Sequence, residues 1–268
     1  MKIGKATVPR TSICTSDAHT IVIRGRDLSK DLIGKISFVD HFFLLLTGQM
    51  PTPGQTAVLN ATLVAIAEHG LVPSVQAARM TFAAAPDAMQ GAVAAGILGC
   101  GSVVLGSSET AGRMYAEIDA KVQGGTALDE AALSVMKAWR AAGKSIPGYG
   151  HPLHKERDER VGALFDAAKA AGTDLRFVAI AEAGERLLPE VLGKPLKLNV
   201  SGAIPAVLLG AGFPVEGLKG VPMLARTAGL IAHMVEEIRQ PIGFALSYQA
   251  TREAEYDGEV PAGFGKHE

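Results

Sequence analysis

From Ile36 onward the apolar residues of this chain return at intervals of three and four, segment after segment, with glycine or proline at the breaks. That spacing lines one face of an α-helix and does not suit a strand, whose faces alternate every second residue. Phe38, Phe42, Leu45 and Leu46 set the pattern over 36–47, which stops at Gly48 with Pro51 and Pro53 beyond. The same period predicts helices over 55–68, 74–84, 88–98, 110–123, 129–142, 158–171, 175–190, 202–209 and 223–237. Abundant alanine favours close-packed helices. Strands and helices do not alternate, and no fixed-period repeat is visible, which disfavours a doubly wound sheet and a solenoid. Residues 20–26, TIVIRGR, alternate β-branched and polar side chains and predict a small N-terminal hairpin or edge strand. The expected fold is mainly α.

A chain of 268 residues can bury a sizeable core, or two unequal ones, without disulfide or metal staples. Its 26 basic and 27 acidic residues nearly cancel, so it lacks the electrostatic footprint of a nucleic-acid binder. The two cysteines, Cys14 and Cys100, sit in no metal or redox motif and are expected to be buried thiols in a reducing cytoplasm. No metal site is expected. The start, MKIGKATVPRTSIC, lacks the apolar run of a signal peptide, so a cytoplasmic location is expected. The most apolar window, Gly91 to Gly106, is shorter than the roughly 20 residues needed to cross a membrane and reads as a buried core helix. The glycine-rich turns at 124–125 and 212–220 read as changes of direction.

Three polar interruptions stand out. Residues 143–160, GKSIPGYGHPLHKERDER, form a glycine-bracketed loop running into a helix start, a turn that presents backbone N–H groups and several cations to an anion. A solvated helix start with a structural histidine fits the same residues equally well. His69 ends an apolar helix and alone reads as a cap or a satisfied core histidine. Arg226 lies inside the apolar helix LARTAGLIAHM, where an unpaired guanidinium is costly; it requires an anion from protein or ligand. His19, His41, His154, His233 and His267 carry no assigned role and read as structural or surface residues.

These segments also carry a resemblance. PGYGHPLHKERDER resembles the PGYGH loop of the citrate synthase superfamily, and LARTAGLIAHMVE resembles its LARTxGWIAHxxE helix. FVDHFFLLLTGQMPT, residues 38–52, is similar to an N-terminal helix of that family. TSIC, AEHG at His69 and LNVSG at Asn199 are more similar to its citrate-lyase-type members, including the C-terminal module of ATP-citrate lyase. The blocks occur in the family's order and span nearly the whole chain.

The resemblance implies a helical citrate synthase-like fold with a large domain, residues 1–109 and 221–268, and a small domain, 110–220, carrying the CoA-binding loop. It implies a homodimer or higher homo-oligomer acting on a CoA thioester and a small carboxylate, with no cofactor beyond the CoA moiety and no nucleic-acid or membrane partner. His151 then takes the substrate hydroxyl or carbonyl, and His69, Arg160 and Arg226 take carboxylates. The main chain of Pro147, Gly148, Tyr149 and Gly150 lies near adenine, and Lys155 near a CoA phosphate. Guanidinium forks match carboxylate geometry, so this set suits a tricarboxylate.

The pattern breaks in places. Val104 stands where synthases carry the histidine that stabilises the thioester enolate, a departure shared with lyase-type members. Ser201 stands where the family carries its catalytic aspartate, and a serine hydroxyl is no base near neutral pH. Pro152 replaces an arginine found in many relatives, and Arg252 corresponds to the family's late arginine only in a loose register. The expected activity is citryl-CoA cleavage to acetyl-CoA and oxaloacetate, with His151, Ser201 and His69 as the catalytic candidates. The alternatives are a lyase or synthase for another acyl-CoA, and a non-catalytic binder of CoA or polycarboxylates.

Overall fold

The computed structural model describes residues 9–101, 105–150 and 157–265. It is helical apart from one small antiparallel sheet of β1 (Cys14–Ser16), β2 (Ile21–Ile23) and β3 (Arg26–Asp27), in that order. Cys14 pairs with Ile23, and Ile23 in turn with Arg26. Arg24 and Gly25 join β2 to β3, both at positive φ (48° and 79°), the tight hairpin turn that matches strand twist. The Arg24 guanidinium then donates to the Leu45 carbonyl at 3.0 and 2.6 Å, fixing the hairpin to the last turn of the first helix.

That helix, α1 (Phe38–Thr47), begins with a reciprocal cap between Ser37 and Asp40 and ends at Gly48 in the left-handed conformation. The next, α2 (Pro53–Ala67), repeats the device with Thr52 and Gln55 behind Pro53. The predicted helices follow within a few residues of their expected bounds: α3 (Pro73–Ala84), α4 (Met89–Leu98), α5 (Gly106–Gln123), α6 (Leu128–Ala141), α7 (Glu159–Ala170), α8 (Arg176–Leu192), α9 (Val200–Gly210) and α10 (Gly220–Arg239). One further α-helix, α11 (Gly243–Glu253), was not anticipated, nor were the π-helical turn at Leu28–Leu32 and the 3-10 turn at Val215–Gly217.

The chain divides into two compact units, Met1–Glu68 with Gly101–Ala225, and His69–Cys100 with Arg226–Glu268. In the first, α5, α6, α8 and α9 pack on one another and α7 packs against α2 and α9. Met114, Ile118, Met136, Ile180, Leu188, Ile204 and Leu208 are fully buried there. Gly112 makes the α5–α9 approach possible, since a Cβ would fall 2.2 Å from Leu218 and 3.1 Å from Pro205. Gln55 donates to the Ala211 carbonyl at 2.8 Å, so the side chain that caps α2 also holds the end of α9.

In the second unit α3 packs on α4 and α11. Val75, Ala78, Phe82, Ala92, Leu230 and Met234 form its core. Two expectations are corrected. The apolar window from Gly91 is not a fully buried helix: α4 buries only Ala92 and Gly96, and Leu98 is 85% exposed. Nor are the cysteines buried: Cys14 is exposed on the outer strand of the hairpin, and Cys100 is half-buried. No described helix is long and apolar enough to cross a membrane.

Candidate active site

The loop at 147–150 is held against the start of α9 by backbone bonds. Gly150 N–H donates to the Lys197 carbonyl at 2.7 Å, Asn199 N–H donates to the Gly148 carbonyl at 3.0 Å, and Tyr149 bridges to Leu198 in antiparallel fashion. Gly148 and Gly150 both take positive φ (89° and 80°), which favours glycine. The approach to α9 is as demanding. A Cβ on Gly202 would lie 2.6 Å from the Gly148 oxygen, and one on Gly148 would lie 2.8 Å from the Gly202 Cα.

Tyr149 anchors this loop from below. Its hydroxyl donates to the Ala181 carbonyl at 3.0 Å and accepts from the fully buried Tyr115 hydroxyl at 3.4 Å. Gly184 supplies the space, since a Cβ there would meet the Tyr149 oxygen at 2.0 Å. Burial raises the pKa of both phenols well above the ordinary value, because the phenolate would be desolvated. Both phenols therefore stay neutral at physiological pH and serve here as hydrogen-bonding fixtures.

Ser201 is the second residue of α9, half-buried, with its N–H donating to the Asn199 side-chain oxygen at 2.9 Å. Arg160 stands in the first turn of α7 and is already engaged: Asp158 accepts from its Nε at 3.0 Å and its Nη2 at 2.7 Å. Sequence reading missed Asp158, whose carboxylate also caps α7 through Arg160 N–H. An aspartate directly before a helix is a cap signal that could have found it. Arg157 lies near Glu182 and Glu185 at 3.5 and 3.6 Å, and its guanidinium sits 5.6 Å from the Phe165 ring centre. His151 and Lys155, and likewise Val104 and Pro152, lie outside the described residues.

The remaining candidates belong to the second unit. Arg226 is 3% exposed, and its Nε and Nη1 have no hydrogen-bond partner among the described residues. The anion that the sequence requires for it is therefore not supplied to those atoms by described protein groups. His69 is half-buried beside Gly70, whose φ is 72°. Arg252, in the last turn of α11, is exposed, with its guanidinium 5.7 Å from the Tyr248 ring centre. Pro147 to Gly150, Arg160 and Ser201 thus belong to one unit, and His69, Arg226 and Arg252 to the other.

Among the described residues no group of three histidine, cysteine or acidic side chains is arranged to hold a metal ion. A groove of about 620 Å³ between α1 and α2 contains none of the candidates. Its Asp40 is already taken up by Ser37 and Thr56.

The profile of the citrate synthase C-terminal domain matches residues 51–243, and the chain belongs to the citrate synthase family. Its fold is that of a citrate synthase-like helical protein with a short N-terminal hairpin. The solved citryl-CoA lyase of Hydrogenobacter thermophilus is 32% identical, with a TM-score of 0.82 over 97% of this chain and 98% of that one. An ATP citrate lyase from Methanothrix soehngenii, solved with citrate and coenzyme A, shares the fold at 23% identity and a TM-score of 0.75, over 96% of this chain and 43% of its own. The citrate/2-methylcitrate synthase of Bacillus subtilis is 30% identical over 210 residues, 75% of this chain and 53% of that protein. The chain spans about half the length of the curated relatives it matches.

Proposed function

We propose that this protein is a carbon–carbon lyase that cleaves citryl-CoA, or a closely related 3-hydroxy-3-carboxyacyl-CoA, to acetyl-CoA and oxaloacetate. The observation that carries the reading is the nearly end-to-end match to the Hydrogenobacter citryl-CoA lyase, in contrast to the half-length match to the synthases. The buried Arg226 supports it, because two guanidinium nitrogens without a partner among the described residues suit a carboxylate.

In this reading a base takes the tertiary hydroxyl proton, the carbon–carbon bond breaks as the oxaloacetate carbonyl forms, and its electron pair passes to the acetyl-CoA enolate. A proton then returns to the enolate carbon. His151 takes the hydroxyl proton, while His69, Arg160, Arg226 and Arg252 hold carboxylates. The backbone at 147–150 and Lys155 bind CoA. Ser201 supplies no carboxylate, so enolate protonation runs through water or through Ser201 as a relay, at a cost on the order of 10²–10⁴-fold in rate. The active unit is a homodimer: Ile231, Val235 and Ile238 form an exposed apolar stripe on α10, and Phe244 and Tyr248 one on α11, and a second copy covers them.

The test is citryl-CoA turnover by the wild type and by Ser201→Asp, beside calorimetric titration with CoA and acetyl-CoA, each with and without oxaloacetate. Cleavage by the wild type, with CoA binding strengthened by oxaloacetate, supports the reading. A large gain in Ser201→Asp identifies the missing carboxylate as the limit. The serine itself favours a second reading, a lyase for another acyl group, which faster turnover of a different 3-hydroxy-3-carboxyacyl-CoA would establish. Tight CoA binding without turnover of any such thioester would mean a binding protein.

A further inference from the structure

We propose that Asn199 is a positioning residue that sets the loop leading to His151 and the helix start bearing Ser201 in one fixed relation, a role that rests on the lyase reading. Its side chain forms three hydrogen bonds. Oδ1 accepts from Ser201 N–H at 2.9 Å and Gly202 N–H at 3.2 Å, and Nδ2 donates to the Gly150 carbonyl at 2.6 Å. Its own N–H donates to the Gly148 carbonyl at 3.0 Å.

The orientation of the amide follows from its neighbours. A rotation by 180° would set the NH₂ against two N–H donors and the oxygen against a carbonyl, so both sides of the amide would lose their partners. A cap on α9 needs only an acceptor, which serine or aspartate supplies as well. The third bond is what a cap does not require. It reaches across to Gly150, the residue peptide-bonded to His151, while the same residue's N–H is held by Lys197. Both polar groups of Gly150 are thereby fixed to the strand-like stretch 197–199, and Asn199 is the side chain that links them to Ser201.

Asparagine and aspartate are nearly isosteric and cap comparably, yet the carboxylate introduced by Asn199→Asp would set an oxygen against the Gly150 carbonyl where the asparagine offers a donor. Asn199→Asp therefore separates positioning from capping, and Asn199→Ser, which keeps an acceptor without the repulsion, serves as the second variant. The measurements are thermal melting, hydrogen exchange at the Gly150 amide by NMR, CoA affinity by calorimetry, and kcat and KM for citryl-CoA.

The expected result is slow Gly150 exchange in the wild type. Both variants melt near the wild type, exchange faster at Gly150 and lose about 10²-fold in kcat, the scale of a small misplacement of reacting groups. A variant that exchanges and turns over like the wild type would reduce Asn199 to a helix cap. Fast Gly150 exchange in the wild type, or failure of both variants to fold, also overturns the proposal. If the wild type cleaves no citryl-CoA, it is the lyase reading that fails, and Gly150 exchange with CoA affinity still decides the positioning role.

Discussion

Arg79 of α3 donates its Nε to Glu237 of α10 at 2.6 Å, with both side chains only 2% exposed. The pair extends into a network: Nη1 also reaches Glu236, and Nη2 donates to the Gln240 carbonyl at 3.1 Å. The second Glu237 oxygen accepts from Ile242 N–H at 2.9 Å and Gly243 N–H at 2.6 Å, at the start of α11. Burial pulls the guanidinium pKa down, but the bonds and charges of Glu237 and Glu236 outweigh it and leave it raised. Arg79→Ala leaves Glu237 buried and uncompensated, and should cost about 3–5 kcal/mol. Denaturant midpoints of Arg79→Ala against Arg79→Lys, which keeps the charge and loses the fork, check this.

Arg226 should behave in the opposite way. Arg226→Leu removes a buried cation whose Nε and Nη1 have no partner among the described residues, so the melting temperature of the unliganded protein should rise. The same variant should lose the stabilisation that a bound polycarboxylate confers, about 2.7 kcal/mol at a hundredfold excess over Kd. Melting with and without oxaloacetate or citrate reads both effects. A wild-type response retained in the variant would remove Arg226 from the ligand site.

The phenol pair gives a pH dependence. Tyrosine has an ordinary pKa of 10.0, and burial raises both Tyr115 and Tyr149 above it. Between the unfolded and folded values the unfolded chain has lost protons that the native state keeps. Stability is therefore full below pH 10 and falls as pH rises beyond it, by about 1.4 kcal/mol per pH unit for each tyrosine. Chemical denaturation at several alkaline pH values should show this slope, and Tyr115→Phe should reduce it by one group.

Two glycines give a matched comparison. Gly184→Ala drives a Cβ into the Tyr149 hydroxyl and should cost about 1–3 kcal/mol through overpacking. Gly162, inside α7, has nothing within 4 Å of an added Cβ, so Gly162→Ala should stabilise by about 0.5–1 kcal/mol. Equilibrium unfolding of both variants checks the sign at each position.

Apart from α4, which buries only Ala92 and Gly96, the helices that could be read from sequence have buried apolar faces. Leu44, Val58, Leu59, Ala131, Val135 and Met136 repeat at helical spacing because a core lies on that side of α1, α2 and α6. The unanticipated α11 has a much weaker face: only Gly243 is buried, Leu246 is half-buried, and Phe244 and Tyr248 are exposed. Its start is held by Glu237, through tertiary bonds that no local pattern encodes. In the site, the need of Arg226 for an anion followed from one cation in an apolar run. Asp158 was legible as a local cap two positions before Arg160, whereas the bridging role of Asn199 was not, because its bond to Gly150, 49 positions away, appears only once the chain has folded back.

Trp139 is the chain's single tryptophan. It lies on α6 in the first unit, 6% exposed, with its indole N–H donating to Glu117 at 2.7 Å and the Lys144 ammonium 4.8 Å from the ring centre. Indole fluorescence of the native protein is therefore a private signal of that unit, whereas far-ultraviolet circular dichroism sums the helices of both. Unfolding curves that coincide by the two methods would mean one cooperative transition, and curves that separate would give each unit its own stability, without a label or a cut in the chain.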